Sequence, residues 1–273
     1  MTAIRPLVAA DIPVAAAAIR RSDWGDRTAF LRFAVAHPAC RPFAIDEDGE
    51  IVGTGLATVS GAVGWVGLIW VRPDRRGHGL GTALSARAVA ELEAAGCRTQ
   101  VLVATEQGRP IYERLGFREL SRDHILVAPG LPAAAVPDPA LRMLTPADMP
   151  AVETLDRAAT GEDRSHLLRI AGHGWVAGGP GEVRAFSLVA PAGGVAVVAP
   201  DPDDALRLLE LRRRLVGEAG RARANVMDEN RDGLARLAAA GWEDAWSGTR
   251  MIRGEPLAWQ PTAIWGVFGH ALG

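Results

Sequence analysis

The stretch LIWVRPDRRGHGLGTALSARAVAELEAAG, residues 68 to 96, constrains the fold more than any other part of the chain. Leu68, Ile69, Trp70 and Val71 form an apolar, β-leaning run that has to stop at Pro73, because proline cannot donate to a strand ladder. Leu80, Leu84, Ala88 and Leu92 then recur every fourth residue, one face of a helix that Gly96 is placed to end. Between strand and helix lies Arg76-Gly77-His78-Gly79-Leu80-Gly81. Glycines without a Cβ let the backbone bend sharply, so several N–H groups can converge on one anion at the positive end of a helix. Arg72, Arg75 and Arg76 add charge, and the device reads as a phosphate-binding turn. Lysine is absent from the whole chain, which excludes a Walker loop, and the glycine offsets exclude a dinucleotide fingerprint.

Composition narrows the remaining classes. With 273 residues and a net charge of -2, the chain can bury a proper core and has no global basic field calling for nucleic acid. Cys40 and Cys97 are too few and too isolated for a disulfide framework or a metal site, and the expectation is no metal and a cytoplasmic protein. The opening MTAIRPLVAADIPVAAAAIR is interrupted by Asp11 and Pro13 and does not read as a signal peptide, and no apolar run reaches the ~18 residues of a membrane span.

In chain order, residues 2–8 read as a strand and Asp11 as the N-cap of a helix carrying Ile12, Ala15, Ala16 and Ile19. Arg27 to His37 reads as a second helix, after the polar loop Arg20 to Asp26. Strands 41–46 and 51–60 flank the turn Glu47 to Glu50, and Trp65 to Val71 leads into the phosphate turn. Thr99 to Ala104 is a further strand, Gly108 to Gly116 a short helix, and 117–120 and 124–128 two short strands. Residues 128–139 contain four prolines and read as a linker. Beyond it the chain repeats itself: ALRMLTPADMPAVETLDRAA echoes the opening, GGVAVVAP echoes GWVGLIWVRP, and LAAAGW echoes YERLGF. The copy lacks the phosphate turn. Aligning Pro200 with Pro73 leaves no glycine from Pro200 to Val216 and places Asp201, Asp203 and Asp204 at a helix start, where they would repel a phosphate; Leu237 stands opposite Tyr112.

The Arg-x-x-Gly-x-Gly run from Arg76 to Gly81 resembles the acyl-CoA-binding loop of the GNAT superfamily of N-acyltransferases, and VATEQGRPIYERLGF, residues 103–117, is similar to a signature of YitH-like tandem-GNAT proteins. The resemblance implies an α/β fold of two tandem GNAT domains, each a central, mostly antiparallel sheet with a splayed parallel pair flanked by helices. The expected domains are 1–127, binding acetyl-CoA, and 140–273, a degenerate copy, joined by the linker 128–139. Acetyl-CoA would be held by Ile69, Trp70, Val71, Arg76, Gly77, His78, Gly79, Leu80, Gly81, Thr82 and Thr105, the last standing where the family often has Asn. Tyr112 matches the tyrosine that protonates the coenzyme A thiolate, a role suited to a phenol near pKa 10. The implied activity is acetyl transfer to a primary amine of a small molecule or peptide by direct attack, in a monomer or homodimer without nucleic-acid or membrane partners. The acceptor would meet Asp23, Trp24 and Asp26, and Asp163 and Arg164 of the second-half motif LDRAATGEDRSHLLR, where Asp163 also reads as a helix cap. Many relatives carry a Glu as general base near the strand before the turn, but residues 64–71 contain no acid; Asp23, Asp26, Glu106 and an ordered water are the alternatives. A non-catalytic acyl-CoA sensor and an acyltransferase for a longer acyl-CoA fit the same motifs.

Overall fold

In the first half the chain forms β1 (Ile4–Pro6), α1 (Ile12–Arg20), α2 (Thr28–Ala36), β2 (Cys40–Glu47), β3 (Glu50–Ser60), β4 (Val63–Val71), α3 (Leu80–Ala94), β5 (Thr99–Ala104), α4 (Arg109–Arg114) and β6 (Arg118–Pro129). The second half forms β7 (Leu141–Met143), α5 (Met149–Thr160), α6 (Ser165–Leu168), β8 (His173–Ala177), β9 (Ala185–Val189), β10 (Val195–Val198), α7 (Pro202–Val216), β11 (Arg221–Met227), α8 (Arg231–Ala239), β12 (Glu243–Gly254) and β13 (Ile264–Gly266). This computed structural model describes residues 3–22, 24–133 and 138–273, so Asp23 and linker residues 134–137 lie outside the described residues.

Two compact units result, and neither is a contiguous half of the chain. Unit 1 is Met1–Glu119 with Met251–Pro256 and His270–Gly273; unit 2 is Leu120–Arg250 with Leu257–Gly269. The division falls at Glu119/Leu120 rather than within 128–139, because residues 117–120 and 124–128 are not two short strands but parts of the unbroken β6, which pairs from Asp123 to Pro129 with β11 of unit 2. Each half thus gives the strand that follows its last helix to the other unit: β6 after α4, and the end of β12 after α8.

Unit 1 holds a mixed sheet in the order β1-β2-β3-β4-β5, with the end of β12 beside β5. Asp48 (φ 54°) and Gly49 (φ 83°) make the tight turn of the β2–β3 hairpin, both with the positive φ such two-residue turns need. Helix α3 buries Leu84, Ala88 and Leu92 completely against this sheet, each leucine contributing about 1.5–3 kcal/mol. It comes close because Gly64 has no side chain: a Cβ there would stand 2.5 Å from a Leu92 methyl.

Unit 2 holds β12, β6 and β11 side by side and a separate five-stranded sheet, β13-β10-β9-β8-β7. Here β10, the counterpart of β4, pairs with β9 and β13 and not with β11. The duplication is visible atom by atom nonetheless. Asp11 takes a two-pronged hydrogen bond from Arg5 (2.7 and 2.9 Å), as Asp148 does from Arg142 (2.8 and 2.7 Å). Both carboxylates also accept a backbone N–H three residues back, Val8 and Thr145, at 2.8 Å. Asp11 therefore ties the preceding turn to the strand and does not cap α1 with its side chain. Gly116 (φ 85°) and Gly241 (φ 80°) end α4 and α8 alike, with Phe117 N–H on Tyr112 O and Trp242 N–H on Leu237 O, each at 3.0 Å.

Candidate functional site

The site begins where two parallel strands part. β4 and β5 pair only over Val63↔Thr99, Gly64↔Gln100 and Trp65↔Val101; beyond these, β4 runs on to Val71 without β5. Inside the freed stretch β4 carries a bulge: Leu56 pairs with Gly67 and Thr54 with Trp70, leaving one extra residue on β4, and Leu68 sits at φ 54°. A non-glycine residue in that region is strained, and its surroundings hold it there: the buried Thr54 hydroxyl donates to Leu68 O at 3.0 Å. Arg72 N–H bonds to Val52 O of β3, so by ladder alternation the peptide groups of Ile69 and Val71 face the gap that β5 vacates. The side chains of Ile69 and Val71 are half-buried there.

Trp70 behaves differently from the expectation. Its indole is 1% exposed on the face opposite α3 and donates to Ser22 Oγ at 3.0 Å, and by the same alternation its peptide groups face Thr54 of β3 rather than the gap. This bond ties the end of α1, and with it the loop carrying Trp24 and Asp26, to β4. Trp24 is half-buried; Asp26 is exposed and caps α2 through Thr28 N–H (2.8 Å) and Thr28 Oγ1 (2.6 Å), bonds that hold its carboxyl below the usual range. Asp26 is a poor base for that reason.

At the end of β4 the chain turns into α3 through Gly77 (φ 82°) and Gly79 (φ 79°). A Cβ at either would meet nothing within 4 Å, so glycine is needed for backbone conformation rather than for space. Gly79 is the N-cap of α3 and supplies no side-chain hydrogen bond, leaving the first-turn amides to an outside acceptor. Leu80, Gly81 and Thr82 form that first turn and are half-buried. The arginines divide their work. Arg72 is bound to Glu50 (2.5 Å) and Asp74 (2.7 Å), and Arg75 to Glu47 (2.8 Å), so these two brace the turn. Arg76 lies along Val71 O (3.2 Å), its carbonyl accepting or pairing with His78 Nδ1 at 2.9 Å, and His78 is exposed.

Across from the turn, Tyr112 is half-buried on α4, edge-on to Phe117 with ring centroids 6.0 Å apart. Burial pushes its phenol up to about 12, opposed by a hydrogen bond with Ser85, so the phenol is protonated throughout the neutral range. Ser85 is fully buried on α3 and donates to Gly81 O at 2.8 Å, linking the phosphate turn to the tyrosine. Sequence reading missed Ser85, Thr54 and Ser22; the spacing of Ser85 four residues after Gly81 is the only signal it left. Thr105 is exposed, and its Oγ1 accepts Gly108 N–H at 3.1 Å, which starts α4. Among the described residues no cluster of His, Cys, Asp or Glu could hold a metal ion.

The polar motif of the second half is built inward. Arg164 is 1% exposed, bonded by Nε (3.0 Å) and Nη2 (2.5 Å) to an equally buried Asp156, and lies 5.3 Å from the centre of the Phe268 ring. A guanidinium taken out of water must be paired in this way, so Arg164 is not presented to an acceptor. Asp163 bonds Arg157 (3.0 Å) and Ser165 N–H (3.3 Å), the capping alternative.

The model of the acetyltransferase (GNAT) family matches residues 10–117, the span that contains the parted strands, the turn and Tyr112. Over 80 residues the chain is 36% identical to a mycothiol acetyltransferase of Streptomyces avermitilis and 35% to that of Streptomyces coelicolor; the match spans 28% of this chain and 26% of each relative, about a quarter of their length. The fold is shared more widely. A putative acetyltransferase from Pyrococcus horikoshii superposes with a TM-score of 0.83 at 21% identity, over 100% of this chain and 96% of that one. A tandem GNAT protein from the clavulanic acid biosynthesis pathway gives 0.60 at 15% identity, over 94% and 99%. Residues 10–117, which carry the candidate site, are thus similar to the acetyltransferase (GNAT) family.

Proposed function

We propose that unit 1 binds acetyl-CoA and transfers the acetyl group to a primary amine of a small molecule or peptide by direct attack. The observation that carries this reading is the convergence of three features in one place: the gap left by β5 beyond Trp65↔Val101, an uncapped helix start at Gly79, and a protonated Tyr112 facing them. The parts fit the ligand's chemistry. The first-turn amides of α3, with Arg76 beside them, suit a pyrophosphate. The outward peptide groups of Ile69 and Val71 suit an extended amide-containing arm, which would add to β4 as a strand, and an N–H there would polarise the acyl carbonyl. Bound acetyl-CoA would supply the activated thioester. Tyr112 would hold a proton at the departing sulfur, a contribution of about 10²- to 10⁴-fold. Trp24 and Asp26, on the loop tied to Trp70 by Ser22, border the acceptor's approach.

Thiol release from acetyl-CoA across a panel of amines, with Tyr112→Phe run in parallel, tests the reading. Amine-dependent release that collapses in the variant while coenzyme affinity holds is the expected result. Equal rates in the two proteins, or no binding of acetyl-CoA by calorimetry, would overturn it.

A further inference from the structure

Burial sets a difficulty for Tyr112 as a proton donor. A phenol that hands its proton to a departing thiolate becomes a phenolate, and surroundings shielded from water disfavour that charge unless a hydrogen-bond donor meets it. At Tyr112 burial works against the phenolate, and a hydrogen bond with Ser85 works for it. The other ring packed on it, Phe117, stands edge-on at 6.0 Å between centroids and gives apolar contact. Ser85 is therefore the neighbour to examine.

Ser85 is fully buried on α3 and follows Gly81 by four residues, so the two share one face of the helix. A Cβ on Gly81 would already touch Ile111 Cδ1 of α4 at 3.4 Å, so α4 lies close along that face. A serine inside a helix often returns its proton to the carbonyl four residues back, and Ser85 Oγ does so, donating to Gly81 O at 2.8 Å. That bond fixes the direction of the other one. A hydroxyl has a single proton to give. With that of Ser85 spent on Gly81 O, the Tyr112 O–H donates and Ser85 Oγ accepts in the bond between them. The resting order runs from Tyr112 to Ser85 to Gly81, the residue that opens α3 beside the phosphate turn.

We propose that Ser85 is a positioning residue for the proton donor: at rest its oxygen holds the Tyr112 O–H, and once that proton has gone to sulfur its hydroxyl turns from Gly81 O to donate to the phenolate. The inference rests on the acetyl-transfer reading of this same site. In the step, the amine nitrogen forms a bond to the acyl carbon and the electron pair of the C–S bond goes to sulfur. The O–H bond of Tyr112 breaks as the S–H bond forms. Water takes the proton that the amine releases and returns one to the phenolate, so no other reactant is needed. The turn of the hydroxyl leaves nothing stranded, because Gly81 O lies in the first turn of α3, where the helix ladder supplies it with the N–H four residues on. The hydroxyl gains by turning, since a hydrogen bond to an ionised oxygen is roughly twice as strong as one to a neutral carbonyl.

The test is a double-mutant cycle on the full chain, with Ser85→Ala, Tyr112→Phe and the two combined, read as thiol release from acetyl-CoA with an amine that the wild type acetylates. Ser85→Ala suits the helix and should lower kcat by about 10- to 100-fold, with acetyl-CoA affinity unchanged by calorimetry. In the Tyr112→Phe background it should cost nothing further, because phenylalanine leaves the serine no oxygen to serve. Equal losses in the two backgrounds would mean that Ser85 serves only the helix, and would overturn the proposal while leaving acetyl transfer intact. Tyr112→Phe turning over like the wild type would instead sink the reading of the site itself. A second readout needs no turnover. The chain has a single tyrosine, so biosynthetic 3-fluorotyrosine places one fluorine, at position 112, and its resonance follows ionisation of that phenol alone. The midpoint should lie higher in Ser85→Ala than in the otherwise unsubstituted chain, since the buried phenolate loses its donor. Coincident midpoints overturn the proposal whether or not any amine is acetylated.

Discussion

Helices α3 and α7 hold corresponding places in the two units, are each 15 residues long, and start in opposite ways. α3 starts from Gly79 in the left-handed region, with no side chain on its amides. α7 starts from Asp201 in an extended conformation, whose carboxylate accepts Asp203 N–H at 2.7 Å. Asp203 and Asp204 follow, bonded to Arg236 (2.9 Å) and Arg184 (3.0 Å). Every helix start has unsatisfied donors and a partial positive charge, and something negative must meet them. α7 meets them from its own sequence and is a finished structural element. α3 leaves them open to an anion from outside, which is what suits it to the coenzyme-binding role proposed for it. The strand partners follow suit: β4 is left open beyond Trp65, whereas β10 is covered by β13.

The largest effect that would break this contrast concerns the residues after the helices, Tyr112 in unit 1 and Leu237 in unit 2. Tyr112→Phe should lower kcat by about 10²- to 10⁴-fold with acetyl-CoA affinity held. The chain has a single tyrosine. Its phenolate absorbance therefore reports this site without background from another tyrosine, and burial should put the native midpoint near about 12. Gly79→Asp would give α3 the start that α7 has, placing a carboxylate on the amides and a side chain at φ 79°. Acetyl-CoA affinity by calorimetry should fall at least about 100-fold, from fixed repulsion together with ~1–2 kcal/mol of backbone strain, with the circular dichroism of the fold retained.

The repeated Arg–Asp pairs sharpen the comparison further. Asp148 is more enclosed than Asp11 (5% against 14% side-chain exposure), and in both the guanidinium partner holds the carboxyl below the usual range. A lowered folded pKa adds stability above the unfolded value near 3.9, and that stability is lost as pH falls through the folded pKa. The melting temperature should be level above about pH 5 and decline below about pH 4. Asp148→Asn should cost about 2 kcal/mol and flatten more of that decline than Asp11→Asn. The smallest effect is Asp201→Ala, which removes the α7 cap at a cost of ~1 kcal/mol in denaturant melts and creates no acetyl-CoA site, since no positive-φ glycine precedes the helix.

Much of the site was legible because its physics is local. The signs of φ at Gly77 and Gly79, the four-residue period of Leu84, Ala88 and Leu92, and the acids at the start of α7 all act within a turn or two of the chain. The sequence is less informative where a side chain's surroundings depend on what the fold brings to it. Trp70 reads as a cofactor contact until Ser22 claims its indole, and Arg164 reads as an acceptor contact until burial pairs it with Asp156. The compact units divide at Glu119/Leu120 for a similar reason, since proline content marks a stretch of chain but cannot show that β6 pairs with β11.

Residue type and order therefore determined the strand, turn and helix at residues 68–96, the duplication, and the loss of the phosphate turn in the second copy. Backbone conformation and helix-end electrostatics depend on neighbours a few positions away. The tertiary structure decided where β4 and β5 part, which unit receives β6 and the end of β12, and that His270 returns to Gly67 from about 200 positions along the chain. Those outcomes depend on packing between segments remote in sequence, where a missing Cβ on one strand matters only once another segment arrives to fill its place.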